Sequence, residues 1–270
     1  MTDRELVAKS FDEVADLYDQ ARPTYQEEIF DDLFALGGLG PGSSVLEIGC
    51  GPGKASLPLA RRGYRLTCLE PGAHLAEIAR RNLAIFPHAQ VIGGSFETWE
   101  SHGILFDAVF AASSWHWLDP ETCYAKTARV LKADGILAIV TMVHAFPEGF
   151  DPIFTEIQQC YESVGKGLPK WPPPRPEEVP DLREQIESTG FFRDVRVKRY
   201  LWTVDYTGEQ YVDMIRTHSD HLVMDASQRD RVLSDVKRLI GARVAKKHYL
   251  AILHVARSVS QSTKGPPISA

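Results

Sequence analysis

The stretch Ser44 to Gly53, SVLEIGCGPG, leaves the chain few architectures to choose from. Its first half is a short, mainly apolar run, Ser44 to Ile48, and its second half puts glycine at 49, 51 and 53. A helical pattern follows from Lys54 to Arg62. So brief an apolar run suits a strand buried on both faces. Glycines after it let the backbone turn sharply and come close to a ligand, because no Cβ stands in the way. The N–H groups at the start of the helix beyond suit a carboxylate. A second strand, Arg65 to Leu69, ends at Glu70, immediately before Pro71. A carboxylate at that strand end can accept hydrogen bonds from both hydroxyls of a ribose.

The same alternation continues. A helix is predicted over Ala73–Ala84, strands over Gln90–Ile92 and Phe106–Ala111, a helix over Glu121–Leu131 and a fifth strand over Gly135–Val143. Strands alternating with helices imply a parallel sheet with right-handed crossovers, covered on both faces. Upstream, residues 3–36 read as helical with a break at Arg22-Pro23, stopped by Gly37-Gly38 and Gly40-Pro41-Gly42. Downstream lie a helix around Ile153–Val164 and the stretch Trp171–Pro176, where proline dictates an ordered surface loop or lid segment. A helix over Asp181–Ser188, a strand over Val195–Val204, helices over Gly208–His218 and Ala226–Ile240 and a strand over Lys247–Arg257 complete the pattern.

Composition narrows the function. A net charge of −6 and a pI near 5.9 lack the basic footprint of a duplex-binding protein, so no nucleic-acid partner is expected. Cys50, Cys68, Cys123 and Cys160 show no C-x-x-C spacing, so neither a zinc knuckle nor a redox pair is expected; reduced thiols in a cytoplasmic protein are. The start MTDRELVAKS lacks a secretory pattern, and no run of about 18 apolar residues would span a membrane.

Two enzyme classes share the glycine-turn logic. A nicotinamide oxidoreductase needs a third glycine three residues after the second, for close packing of helix on strand. Lys54 occupies that position, and Gly53 makes a G-x-G-x-G run instead. In full, the sequence resembles the class I methyltransferases that use S-adenosylmethionine (SAM), in particular the small-molecule branch that includes trans-aconitate methyltransferases. The matching residues are Glu47 to Gly53 (E-x-G-x-G-x-G), Glu70, Ser95-Phe96-Glu97, Phe106 to Val109, Ser113-Ser114-Trp115-His116-Trp117 and Leu131 to Leu137. Tyr18, Arg22-Pro23 and Tyr25 resemble the branch's Y-x-x-x-R-P-x-Y lid.

That resemblance implies an α/β, Rossmann-like, doubly wound sheet of seven strands, order 3-2-1-4-5-7-6, the last antiparallel. It implies one domain over 1–257: a core of about 37–143 and 179–257, a cap from 1–36, 144–178 and 206–244, and a disordered tail at 258–270. The implied cofactor is SAM. Gly49, Cys50, Gly51 and Gly53 would pass beneath its methionine part, with Glu47 near the amino group. Glu70 and Pro71 would lie at the ribose, Ser95, Phe96 and Glu97 at the adenine, and Tyr18, Arg22 and Ser113 nearby. The expected partner is a small-molecule methyl acceptor, for O-methylation of a carboxylate above other chemistries, in a monomer or homodimer. A non-catalytic SAM-binding protein is the other alternative beside the oxidoreductase.

Several side chains admit two readings. His116, just past the fourth strand, faces the cleft of a doubly wound sheet and is a candidate general base or a pocket-shaping residue. Tyr25, Trp117, His144 and Arg216 are candidate acceptor contacts, with a plain loop histidine as the alternative for His144. His218 and His221 are spaced by three, but no third ligand is evident, so acceptor contact or a satisfied surface pair is expected rather than a metal.

Overall fold

The computed structural model describes residues 10–259. Its centre is one seven-stranded sheet of order β3-β2-β1-β4-β5-β7-β6. The strands are β1 (Ser44–Ile48), β2 (Arg65–Glu70), β3 (Ala89–Gly93), β4 (Phe106–Ala112), β5 (Leu131–Ala145), β6 (Phe192–Tyr206) and β7 (Ala245–Ser258). The first five pair in parallel, and β7 runs antiparallel to both β5 and β6. This is the order and the antiparallel strand that the family resemblance implies.

Helices flank the sheet: α1 (Ala15–Ala21), α2 (Glu27–Gly37), α3 (Ser56–Arg61), α4 (Ala73–Leu83), α5 (Cys123–Val130), α6 (Ile153–Glu162), α7 (Arg183–Ser188), α8 (Gly208–Arg216), α9 (Ser219–Leu222) and α10 (Ala226–Ile240). One apolar layer holds Val45, Phe110 and Val140 against Phe30 and Leu33 of α2. The other holds Leu46, Val109 and Ile139 with Tyr124 and Ile186. Strand residues alternate faces, so neighbours on one strand feed opposite layers. A third cluster, with Phe154, Tyr211, Met214, Val236 and Tyr249, makes the cap.

The helix expected from Lys54 begins at Ser56, because Gly51, with φ +55°, and Gly53, with φ +92°, keep the chain in turns. The late strands are longer than their alternation predicts. β5 and β6 have 15 residues each and β7 has 14, and they run past the carboxyl edge of the parallel strands as a ribbon. The last pairing of β4, Ala112 with Val140, leaves Thr141–Ala145 of β5 paired to β7 alone. That overhang is the floor of the cap. β7 continues to Ser258, so Ser258 belongs to the sheet and not to the tail expected from 258; residues 260–270, and the start of the first predicted helix at 3–9, lie outside the described residues. Among the described residues no helix is long and apolar enough to cross a membrane.

Candidate active site

The glycine turn follows from how β1 and β2 end. The N–H groups of Gly49 and Cys50 both donate to the Leu69 carbonyl, at 2.9 and 3.0 Å, which ties the two strand ends together. The Gly51 N–H donates to the Glu70 carboxylate at 2.8 Å, and that of Gly72 does so at 2.9 Å. Gly49 has φ +65°, and a Cβ there would stand 2.7 Å from Ser114 Cβ. At Gly51 a Cβ would meet no protein atom within 4 Å, so the turn keeps an open face with Glu70 at its rim. An open glycine face beside a carboxylate fits the amino-acid part and ribose of SAM.

Burial raises the Glu70 pKa from 4.5 to about 7, against the lowering effect of the two N–H donors. Glu47 departs from expectation. It shares the face of Val45, points into the junction of β1 and α3, and is 1% exposed. Ser56 Oγ donates to it at 2.5 Å and Cys68 Sγ at 3.6 Å, so its carboxyl is engaged within the fold rather than turned to the open face of the glycine turn. The Cys50 thiol likewise turns into the apolar layer, where Cys68 and burial push its pKa well up.

Burial lifts the Glu47 pKa from 4.5 to about 7. The folded chain therefore holds this proton more tightly than the unfolded chain. Glu47 favours folding fully below about pH 4.5 and loses that contribution as pH rises through 7. Glu47→Gln should abolish it. The stability of wild type minus that of the variant is expected to fall by on the order of 2–3 kcal/mol between pH 5 and 8 in urea titrations. A difference is needed because histidines depressed by burial, such as His144, bias the raw profile the other way.

Toward the expected adenine side, Phe96 is buried with Leu46, Ile48 and Leu69, and the Lys126 ammonium sits 5.3 Å from its ring centroid. Ser95 Oγ lies 3.3 Å from Thr98 Oγ1. Glu97 and Pro71 are exposed, and Glu97 engages Lys126 only through its carbonyl, so its carboxylate faces solvent.

The predicted lid residues converge on the cap. Arg22 Nε donates to Thr217 Oγ1 at 2.7 Å and Nη2 to the Thr217 carbonyl at 2.8 Å, with the guanidinium 5.1 Å from the Tyr18 ring centroid. Tyr25 OH donates to Ser113 Oγ at 2.9 Å, which joins the lid to the end of β4. Besides Thr217 as the partner of Arg22, two further lid contacts escape the sequence. Asp12 accepts from the N–H groups of His74 and Leu75 at the start of α4, and Lys54 Nζ donates to the Asp19 carbonyl at 2.6 Å. Only Lys54 carries a signal, as a cation directly after the glycine turn. Trp117 packs edge-on against Phe11 at 5.8 Å, and the exposed His116 leans on Trp117 at 4.7 Å. Partial desolvation holds the His116 pKa below its ordinary value.

His144 lies on the β5 overhang, 4.1 Å from Phe146 and 4.7 Å from Phe154 between ring centroids, so it belongs to the cap and not to a loop. Arg216 departs from expectation. Tyr211, Val212 and Ile215 occupy the inward face of α8, which turns Arg216 outward to an ion pair with Asp213 at 3.1 Å. His218 and His221 are not a surface pair. His221 is 1% exposed with its Nε2 2.7 Å from Tyr161 OH, and burial drives the His218 pKa well down.

The chain's similarities agree with this geometry. Residues 46–139 match the methyltransferase domain family. An uncharacterized methyltransferase of Mycobacterium tuberculosis is 25% identical over 255 residues, 93% of this chain and 95% of the relative. The malonyl-acyl-carrier-protein O-methyltransferase of Serratia marcescens is 27% identical over 140 residues, 52% of this chain and 53% of the relative. A structure from Anaeromyxobacter dehalogenans assigned to the type II methyltransferases shares the fold, with a TM-score of 0.60 and 22% identity over 87% of this chain and 97% of that one. The nicotinamide alternative gives way to this match. With its glycine turn, sheet order and matched domain, the chain is a SAM-dependent methyltransferase.

Proposed function

We propose that the chain transfers the methyl group of SAM to an oxygen of a small organic acid, with a carboxylate as the favoured acceptor, as in the small-molecule branch it resembles. The observation that carries this reading is the seam between Arg22 and Thr217, which joins the N-terminal lid to the cap above the carboxyl edge of the sheet. A site roofed from both sides suits a small molecule and excludes a folded protein surface or a duplex.

Bound SAM supplies a methyl group already activated by its sulfonium. The chain's task is therefore to hold and align. Gly49, Gly51, Gly53 and Glu70 hold the donor, Ser95 and Phe96 lie at its adenine, and Tyr18, Arg22 and Ser113 close over it. Tyr25, Trp117 and His144 face the acceptor. Alignment of two bound reactants can supply roughly 7–11 kcal/mol of a barrier. A carboxylate is ionised at neutral pH and needs no base, so His116 shapes the pocket and takes no proton. The Serratia relative, named as a malonyl-acyl-carrier-protein O-methyltransferase, supports O-methylation of an acid, there one borne by a carrier protein.

Methyl-tritiated SAM, incubated with the protein and the small-molecule fraction of a cell extract, tests the bond formed. Label entering small molecules should be released as volatile methanol by mild alkali, because methyl esters hydrolyse there and methyl ethers and amines do not. Alkali-stable label, or label confined to macromolecules, would overturn the reading.

A further inference from the structure

Among the described residues no carboxylate pairs with the Lys247 ammonium. The residue is 2% exposed, its ammonium lies 3.9 Å from Met214 Sδ, and the rings of Tyr249 and Tyr211 stand 5.1 and 5.5 Å away. The Arg22 charge acts on it more strongly than the carboxylate of Asp220, and burial with Arg22 lowers its pKa to about 7. Sequestering an ammonium without a counter-charge is strongly unfavourable, and replacing such a group by an apolar one often stabilises a fold. Function is a common reason to keep one.

Strand register puts a second unmet group on the same face. His144 pairs with Tyr249, two residues from Lys247 along β7, and its Nε2 is buried without a hydrogen-bond partner. The Lys247 charge reaches His144, and His218 feels Arg22, Lys247 and His144 together. Side chains from the lid, from β5 and β7 and from the α8–α9 junction thus lie within electrostatic reach of one another on the cap side of the overhang. His221, behind them, is already joined to Tyr161.

The spot lies on the overhang beyond the carboxyl edge. In the sheet order β7 stands three strands from β1, which is roughly 14 Å at the usual strand spacing. A small acceptor anchored there can reach toward a donor held at the end of β1.

We propose that Lys247 and His144 Nε2 bind a carboxylate of the methyl acceptor, one that anchors the molecule and is not the oxygen that takes the methyl group. The assignment rests on the methyl-transfer reading above. A carboxylate supplies the counter-charge that Lys247 lacks and an acceptor for His144 Nε2–H; a neutral isostere supplies no charge. Binding energy at this spot selects acids over amides of the same shape.

The protein loaded with S-adenosylhomocysteine tests this by calorimetric titration with benzoate and butyrate, and with benzamide and butyramide as neutral counterparts. At least one acid should bind saturably in wild type, about tenfold or more tighter than its amide. Lys247→Met should weaken that acid about tenfold and melt no lower than wild type, and His144→Leu should weaken it as well. S-adenosylhomocysteine should bind wild type and both variants alike. Acids that bind no tighter than amides, that do not bind at millimolar concentration, or that bind Lys247→Met as well as wild type would overturn the proposal. Failure of S-adenosylhomocysteine to bind wild type would instead overturn the cofactor reading.

Discussion

Glu70→Ala is expected to weaken SAM binding by about a hundredfold or more while the chain stays folded. Two ribose hydroxyls donating to one carboxylate make charge-assisted bonds worth roughly 1.5–3 kcal/mol each, and every 1.4 kcal/mol is a factor of about ten. The carboxylate also fixes Gly51 and Gly72 through their N–H groups, so its loss loosens the open face of the turn. Stability should change little, because burial already disfavours the charged form of Glu70. With its pKa raised to about 7, only part of the wild type carries the ionised carboxylate at neutrality. Hydroxyl donors and a sulfonium favour that ionised form, so affinity should rise from pH 6 to 8 in wild type and stay flat in the variant. Calorimetry across that range checks both points, and an affinity indifferent to the substitution would remove Glu70 from the ribose.

Gly49→Val and Gly51→Ala should separate folding from binding. At position 49 a β-branched side chain would adopt φ +65° and drive its Cβ to 2.7 Å from Ser114 Cβ. Ser114 cannot simply withdraw, because it is buried and its hydroxyl donates to the Ile48 carbonyl. Left-handed backbone costs about 1–2 kcal/mol and overpacking about 1–3 more. At roughly 2–4 °C per kcal/mol, Gly49→Val should melt on the order of 10 °C lower. Gly51→Ala carries the backbone cost alone, since its Cβ meets nothing, and should melt about 2–8 °C lower. Its methyl group stands on the open face, so its loss of S-adenosylhomocysteine affinity should exceed its loss of stability. Melts and titrations of both variants decide this; equal melting points would mean that Ser114 yields and the turn is less tightly packed than described.

The parallel half of the fold was legible because its information is local. A short apolar strand, a glycine turn, a helix and a strand-end acid lie within 27 residues, from Ser44 to Glu70, and each has its own physical signature. The orientation of Glu47 was within reach of the same logic, since strand alternation places it with the core residue Val45, and the motif resemblance prevailed over it. Arg216 is similar: its spacing of three from Asp213 already marks an outward pair on a helix. The lid contacts were not legible. Asp12 meets His74 across 62 residues, and Arg22 meets Thr217 across 195, with no periodic pattern to announce either. Lys247 reads in sequence as one of two adjacent lysines at the start of a strand, where a charge normally faces water. Only the packing of α8 over the β7 overhang buries it.

The most direct test of the central claim is calorimetric titration of the wild-type protein with SAM, S-adenosylhomocysteine and NAD. Micromolar binding of the first two, with none for NAD, is the predicted result. Binding of NAD, or no binding of either sulfur compound, would contradict the identification of the glycine turn and Glu70 as a SAM cradle.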